Sequence, residues 1–284
     1  MHDQITLLGV KGGPSVRQRG AMPTSILLTM AGQTILIDCG IGATRSAVEA
    51  GLSLPEIGAI FITHLHSDHL LELGPLIYTA WTTGLCRPIT VFGPEGIGAY
   101  WDGFLASMAY DRAIRIADEG RPELLDLVRL SKIDEGFRES LNGLMVSALR
   151  VDHPPVTDCF ALRFESSHAS VVFSSDTAYF PPLADFARGA DVLVHEAMLP
   201  AGVESIVRRT PGATRLRQHL QASHTTAADA GRIASMAGVG HLVLNHLVPA
   251  DDPAFTDADW FGEVATTWTG PTTVGRDGMI IPVG

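Results

Sequence analysis

The stretch that most constrains this chain is residues 60–71, Ile-Phe-Ile-Thr-His64-Leu-His66-Ser-Asp68-His69-Leu-Leu. The apolar run from Ala59 to Ile62 predicts a buried strand, and it ends in three histidines and an aspartate. Leu70, Leu71 and Leu73 predict a helix beginning just past that cluster. Alternate residues of an extended chain point the same way, so His64 and His66 share one side of the loop. Asp68 and His69, at the helix entrance, turn towards a second point nearby. Imidazole nitrogens and carboxylate oxygens are good ligands for zinc and its neighbours, so the spacing suits two adjacent metal ions. Four such groups at the end of a buried strand would need partners even in a purely structural role.

The rest of the chain alternates strand-like and helix-like segments. Residues 4–9 predict a first strand, 10–23 a loop rich in Gly, Pro and Arg, and 25–30 with 34–38 a hairpin. A helix is expected over 43–50. Strand, turn and helix start follow in Pro88 to Gly96, with Phe92-Gly93-Pro94 at the turn. The helix over 96–109 carries Trp101, Phe104, Leu105 and Met108 on one face, a stripe that reads as core or dimer contact rather than a substrate roof. Residues 110–138 match no motif, which makes them a place for substrate specificity. Strand-like runs then end at His153, at Asp176, at His195-Glu196-Ala197 and at Asn245-His246, and a helix over 225–237 follows His224. No repeat or linker interrupts this order. It reads as one α/β domain over residues 1–284, with a variable helical segment at about 96–140.

His64-Leu-His66-Ser-Asp68-His69 after an apolar strand resembles the metal-binding signature of the metallo-β-lactamase superfamily. The resemblance implies an αββα sandwich with the site at one edge between two sheets. It also implies a ligand set: His64, His66 and His153 on one divalent ion, Asp68, His69 and His246 on the other, and Asp176 bridging them. A water between the two ions would then become hydroxide near neutral pH. Zinc is the expected metal, with manganese or iron as alternatives. Asp38, at the end of the strand before the signature, corresponds to a supporting residue rather than a ligand.

The branch follows from particular residues. Asp176 stands at the bridging position where a zinc β-lactamase has cysteine, and His66 stands where redox di-iron relatives have glutamate. His195-Glu196-Ala197 and His224-Thr225-Thr226 resemble motifs of the ribonuclease Z branch, as do a Leu8-Gly9 loop and Phe92-Gly93-Pro94. The resemblance covers roughly residues 1–100 and 144–250. The long arm that grips transfer RNA in ribonuclease Z is missing: a plain hairpin fills the interval from His153 to Asp176.

The expected activity is a binuclear phosphodiesterase acting on a small anionic ester, with Asp68 and His224 as catalytic residues and His224 protonating the leaving group. His195 would orient its neighbours together with Glu196, and His2, His168, His219 and His241 have no supporting context. Sulfate ester, lactone or thioester hydrolysis and a metal-bound sensor without turnover are the alternatives. The formal charge of −11, from 31 acidic and 20 basic residues, argues against a nucleic-acid partner. Arg208, Arg209, Arg215 and Arg217 around Pro211-Gly212 read either as a solvated surface or as a mobile loop that holds the substrate's anion. Three widely spaced cysteines, Cys39, Cys86 and Cys159, read as buried thiols of a cytoplasmic protein, and no run is long enough to span a membrane. A homodimer is a further expectation.

Overall fold

A computed structural model describes residues 3–284, so His2 lies outside them. The short strand Ala59–Phe61 shows how the layers are built. Ala59 and Phe61 belong to the core between two sheets, whereas Ile60 and Ile62 belong to the core beneath an outer helical layer. With both faces buried, every side chain of the run must be apolar. The strand pairs in parallel with Gln33–Cys39 on one side and Ile89–Gly93 on the other.

The described residues form two seven-stranded sheets. In space the first runs Met279–Pro282, Gln4–Gly9, Ser25–Met30, Gln33–Cys39, Ala59–Phe61, Ile89–Gly93 and Val128–Lys132. The second runs Thr272–Val274, His241–Val248, Val192–Met198, Ser170–Phe173, Phe160–Glu165, Leu144–Arg150 and Arg138–Leu141. Between them Phe61 stacks on Phe92 with ring centroids 4.5 Å apart, and meets Phe164 of the second sheet edge-on at 5.3 Å. Truncating so enclosed a ring to alanine costs about 3–5 kcal/mol. Helices Ala43–Glu49, Leu73–Thr82 and Ile97–Ser107 cover the outer face of the first sheet, and Pro182–Phe186 with Ala227–Ala237 that of the second. This is the αββα sandwich.

Several local expectations are corrected. The helix begins at Ser67, inside the histidine cluster and not past it, so Asp68 and His69 lie in its first turn. Leu8 and Gly9 end a strand and form no loop. Cys86 is exposed, while Cys39 and Cys159 are buried. Trp101 and Leu105 are buried under the first sheet, with Phe104 and Met108 packed against them, so that stripe is core. No helix among the described residues is long and apolar enough to cross a membrane.

Candidate metal centre

Strand ends from both sheets meet at one edge of the sandwich. The first sheet delivers His64, His66, Asp68 and His69 after Ala59–Phe61. The second delivers His153 after Leu144–Arg150, Asp176 after Ser170–Phe173, and His246 from within His241–Val248. The last strand runs on past the position where the sequence ends it. Asn245 pairs with Glu196 and Leu247 with Ala197, so His246 is an extra residue without a partner. Such a bulge re-aims a side chain. Asp38, Ser175 and His246 all have φ between 40° and 60°, three of six non-glycine residues with positive φ. Backbone strain of this kind costs about 1–3 kcal/mol each and gathers where function holds it. The N-terminal loop closes over the same edge, and a Cβ on Gly12 would lie 2.9 Å from the His246 ring. Only glycine allows that approach.

Hydrogen bonds decide which ring nitrogens face the centre. Thr63 Oγ1 donates to Asp38 Oδ2 at 2.9 Å, so it accepts from His64 Nδ1 at 3.2 Å and leaves a lone pair on His64 Nε2. His153 Nδ1 donates to the Ser223 carbonyl at 2.9 Å, which leaves a lone pair on its Nε2. Both Nε2 atoms lie 3.1 Å from His66 Nδ1. One proton on His66 serves one of these neighbours; a cation among the three serves all. Burial keeps His64 well below the ordinary histidine range, aided by the nearby His69, and holds His153 at about 4.

The second point is richer in charge. His69 Nδ1 donates to Asp38 Oδ2 at 2.7 Å, and its Nε2 lies 3.7 Å from Asp68 Oδ2 and 3.4 Å from Asp176 Oδ2. His246 Nε2 lies 3.3 Å from Asp68 Oδ2 and 3.1 Å from Asp176 Oδ2. Asp176 Oδ2 also lies 3.8 Å from His64 Nε2 and 3.9 Å from His153 Nε2, between the two groups. Burial opposes a proton on His69, yet the carboxylates of Asp176, Asp38 and Asp68 outweigh it and raise its pKa well above the usual range. No lysine or arginine pairs with Asp68 or Asp176 among the described residues, and His69 Nε2 and Asp176 Oδ1 are buried without a hydrogen-bond partner. Buried carboxylates facing buried imidazole lone pairs demand positive charge between them. The donor set therefore fits a divalent metal site, with ligating atoms of His64, His66, His153 and Asp176 in one group, of Asp68, His69 and His246 in another, and of Asp176, His224 and His246 in a third.

Beside these groups, His224 Nδ1 donates to Glu196 Oε2 at 2.9 Å, and Glu196 Oε1 accepts from the Thr177 amide at 2.6 Å. Burial works against charging His224, but Glu196 against its ring outweighs this and lifts it to about 9. Its ring stacks on His246 at 5.4 Å between centroids. Neighbouring strand residues point to opposite faces, so Glu196 reaches the site and His195 cannot. The expected orienting role of His195 thus falls to Glu196 alone: His195 Nδ1 donates to the Glu196 carbonyl, and the ring lines no part of the cleft. His219, which has no supporting context in the sequence, belongs here, with centroids 6.2 Å from His66 and His153 and 5.8 Å from His224. Its spacing of four and five residues from Ser223 and His224 on a helix was the available signal.

These side chains open into a cleft of about 340 Å³. Its far wall is apolar, with Ile206, Leu216, Leu220 and Val248, and its rim carries Lys11, Arg17, Arg209 and Asp251. The expected arginine loop is two short helices, Val203–Arg209 and Leu216–Ser223, and only Arg209 of the four arginines lines the cleft. Arg217 instead forks onto Glu204 at the surface, with Nη2 2.8 Å from Oε2. No residue of 110–138 lines the cleft.

A two-sheet sandwich flanked by helices, with a histidine and aspartate cluster at its strand ends, defines a metallo-β-lactamase-fold protein. The comparisons agree. A family model described as "Anti-Pycsar protein Apyc1" matches residues 4–209. A ribonuclease Z of Mycobacterium bovis is 33% identical over 277 residues, covering 96% of each chain. One from Mycolicibacterium gilvum is 32% identical over 277 residues, covering 96% of this chain and 94% of that one. Among solved structures, the metallo-β-lactamase-fold protein YhfI of Bacillus subtilis superposes with a TM-score of 0.73 at 21% identity, covering all of both chains. The short form of human tRNase Z gives 0.70 at 20% identity, covering 99% of both. The chain belongs to the Apyc1 family, within the ribonuclease Z-like metallohydrolases of the metallo-β-lactamase superfamily.

Proposed function

We propose that this metallohydrolase is a binuclear phosphodiesterase acting on a small anionic ester. His64, His66 and His153 would hold one divalent ion and Asp68, His69 and His246 the other, with Asp176 shared. Zinc suits this set best, and manganese or iron are compatible with it. Such ions supply a Lewis acid for the phosphoryl oxygen and lower the pKa of a bound water. Asp38 keeps the His69 lone pair aimed inward, and Ser223 does the same for His153. His224 delivers a proton to the leaving oxygen, while Glu196 behind it steadies the imidazolium.

The observation that carries this reading is the buried His224–Glu196 hydrogen bond beside the two proposed ligand groups, with a His224 ring nitrogen within 4.8 Å of ligating atoms of Asp176 and His246. Simple metal storage or sensing has no use for a proton donor there. Sulfate, lactone and thioester substrates are the nearest rivals. Transfer RNA is a separate reading, favoured by the ribonuclease Z relatives and opposed by the net charge of −11 and by the four-residue turn between strands Phe160–Glu165 and Ser170–Phe173. The two buried thiols, Cys39 and Cys159, suit a cytoplasmic setting.

A metal-loaded preparation assayed on matched 4-nitrophenyl phosphodiester, 4-nitrophenyl sulfate, a lactone and precursor transfer RNA separates these. The phosphodiester should lead in kcat/KM. Faster turnover of the sulfate or lactone, or efficient salt-sensitive 3′ processing of the RNA, contradicts the proposal.

A further inference from the structure

The rim of the cleft carries more cationic capacity than the fold uses. Lys11 Nζ donates to Asp251 Oδ2 at 2.6 Å, and both side chains are 5% exposed, a buried pair. Arg209 Nη1 donates to Asp251 Oδ1 at 3.2 Å and to the Asp251 carbonyl at 3.3 Å, its Nε donates to the Ser205 carbonyl at 3.3 Å, and its Nη2 lies 3.7 Å from Asp252 Oδ2. Those contacts commit Asp251. Arg17 is the remainder. Its Nε lies 2.9 Å from Asp251 Oδ2 without hydrogen-bond geometry and is buried unpartnered, while the side chain as a whole is 34% exposed and borders both the cleft and a neighbouring hollow lined by Arg19 and Asp257. Three cations thus share two carboxylates, and the leftover charge sits on a guanidinium whose planar fork is matched to an oxyanion.

The position gives this surplus a meaning. Arg17, Arg209, the apolar wall of Ile206, Leu216 and Leu220, and His66, Asp68, Asp176 and His246 of the metal centre all line the same cleft. At about 340 Å³ it has the size of a small-molecule site, so one ligand can touch all three surfaces. They come from distant segments: Arg17 from the N-terminal loop, Arg209 and the apolar wall from the helix pair over 203–223, and the metal-centre side chains from strand ends of both sheets.

We propose that Arg17, supported by Arg209, forms a second anion subsite in the metal-facing cleft. The preferred ligand is then a small phosphoester carrying a further carboxylate or phosphate on an apolar arm. This rests on the phosphodiesterase reading and narrows its substrate class. The first anion lies at the metal centre, the arm lies against Ile206, Leu216 and Leu220, and the second anion takes the open fork of Arg17.

Calorimetric binding to the zinc-loaded protein tests this without turnover. Methyl phosphate, with one anionic head, is compared with 2-carboxyethyl phosphate and 2-phosphonoethyl phosphate, which carry a second. Either two-headed ligand should bind roughly ten- to a hundredfold tighter, the worth of one charge-assisted hydrogen-bonded contact. Arg17→Gln should remove most of that gain, and Arg17→Lys should recover only part, because a lysine has no fork. A gain with the phosphonate alone makes the subsite specific for phosphate. Equal binding of one- and two-headed ligands by the unaltered protein, or an undiminished gain in Arg17→Gln, overturns the inference. Cleavage of 4-nitrophenyl methyl phosphate, followed in parallel, reports on the phosphodiesterase reading separately.

Discussion

The floor and the rim of the cleft are held in different ways. On the floor, hydrogen bonds from deeper in the fold fix His64, His69, His153 and His224 through one nitrogen, with Thr63, Asp38, Ser223 and Glu196 as partners. Those partners are backbone groups or buried side chains, so the rings cannot turn without breaking a bond in a dry place. At the rim, ion pairs join Lys11, Arg17, Arg209, Asp251 and Asp252, partly open to solvent. Lys11 and Asp251 are a buried pair, whereas the half-open pairs of Arg17 and Arg209 contribute modestly. The floor therefore holds its rings in a set geometry, and on the proposed reading the rim discriminates among ligands.

The sharpest way to break this contrast is His224→Ala. If His224 protonates the leaving oxygen, turnover of a phosphodiester with a strongly basic leaving group should fall roughly a hundred- to ten-thousandfold, with both metals retained. The loss should shrink for nitrophenolate, which needs little protonation. Equal losses on both esters would make His224 a charge-stabilising group, and loss of metal would make it a ligand.

A milder perturbation reaches the floor from behind. Asp38→Asn keeps the size of the side chain but weakens the acceptor for His69 Nδ1 and for the Thr63 amide at 2.8 Å. Metal affinity or activity should drop roughly ten- to a hundredfold, the usual effect of losing such a support. The ranking of anionic ligands should be unaltered, since the rim is untouched. A changed ranking with normal metal content would show that floor and rim are not separable.

The same contrast explains what could be read from the residues in order. The floor is concentrated in His64-Leu-His66-Ser-Asp68-His69 and in single residues at strand ends, and each of those ends is marked by an apolar run. Local pattern therefore marks the candidate positions, and the resemblance to the metallo-β-lactamase superfamily supplies the sandwich and the grouping of the seven side chains. The rim has no such mark. Lys11, Arg17, Arg209 and Asp251 meet only because the N-terminal loop crosses the strand that carries His246, through Gly12 donating to the Leu247 carbonyl at 3.1 Å. His219 is unmarked for the same reason, since its neighbours His66 and His153 come from far earlier in the chain. His195 is the opposite case: it shares a motif with Glu196, but strand alternation sends the two side chains apart.

The central claim is that Asp176 is shared between two cations. Elemental analysis of protein dialysed against zinc, alongside Asp176→Asn, tests it most directly. Close to two ions per chain are expected in the unaltered protein, and the variant should lose affinity at both positions because one carboxylate serves both. Two tightly held ions in Asp176→Asn, or a single ion in the unaltered protein, would contradict it.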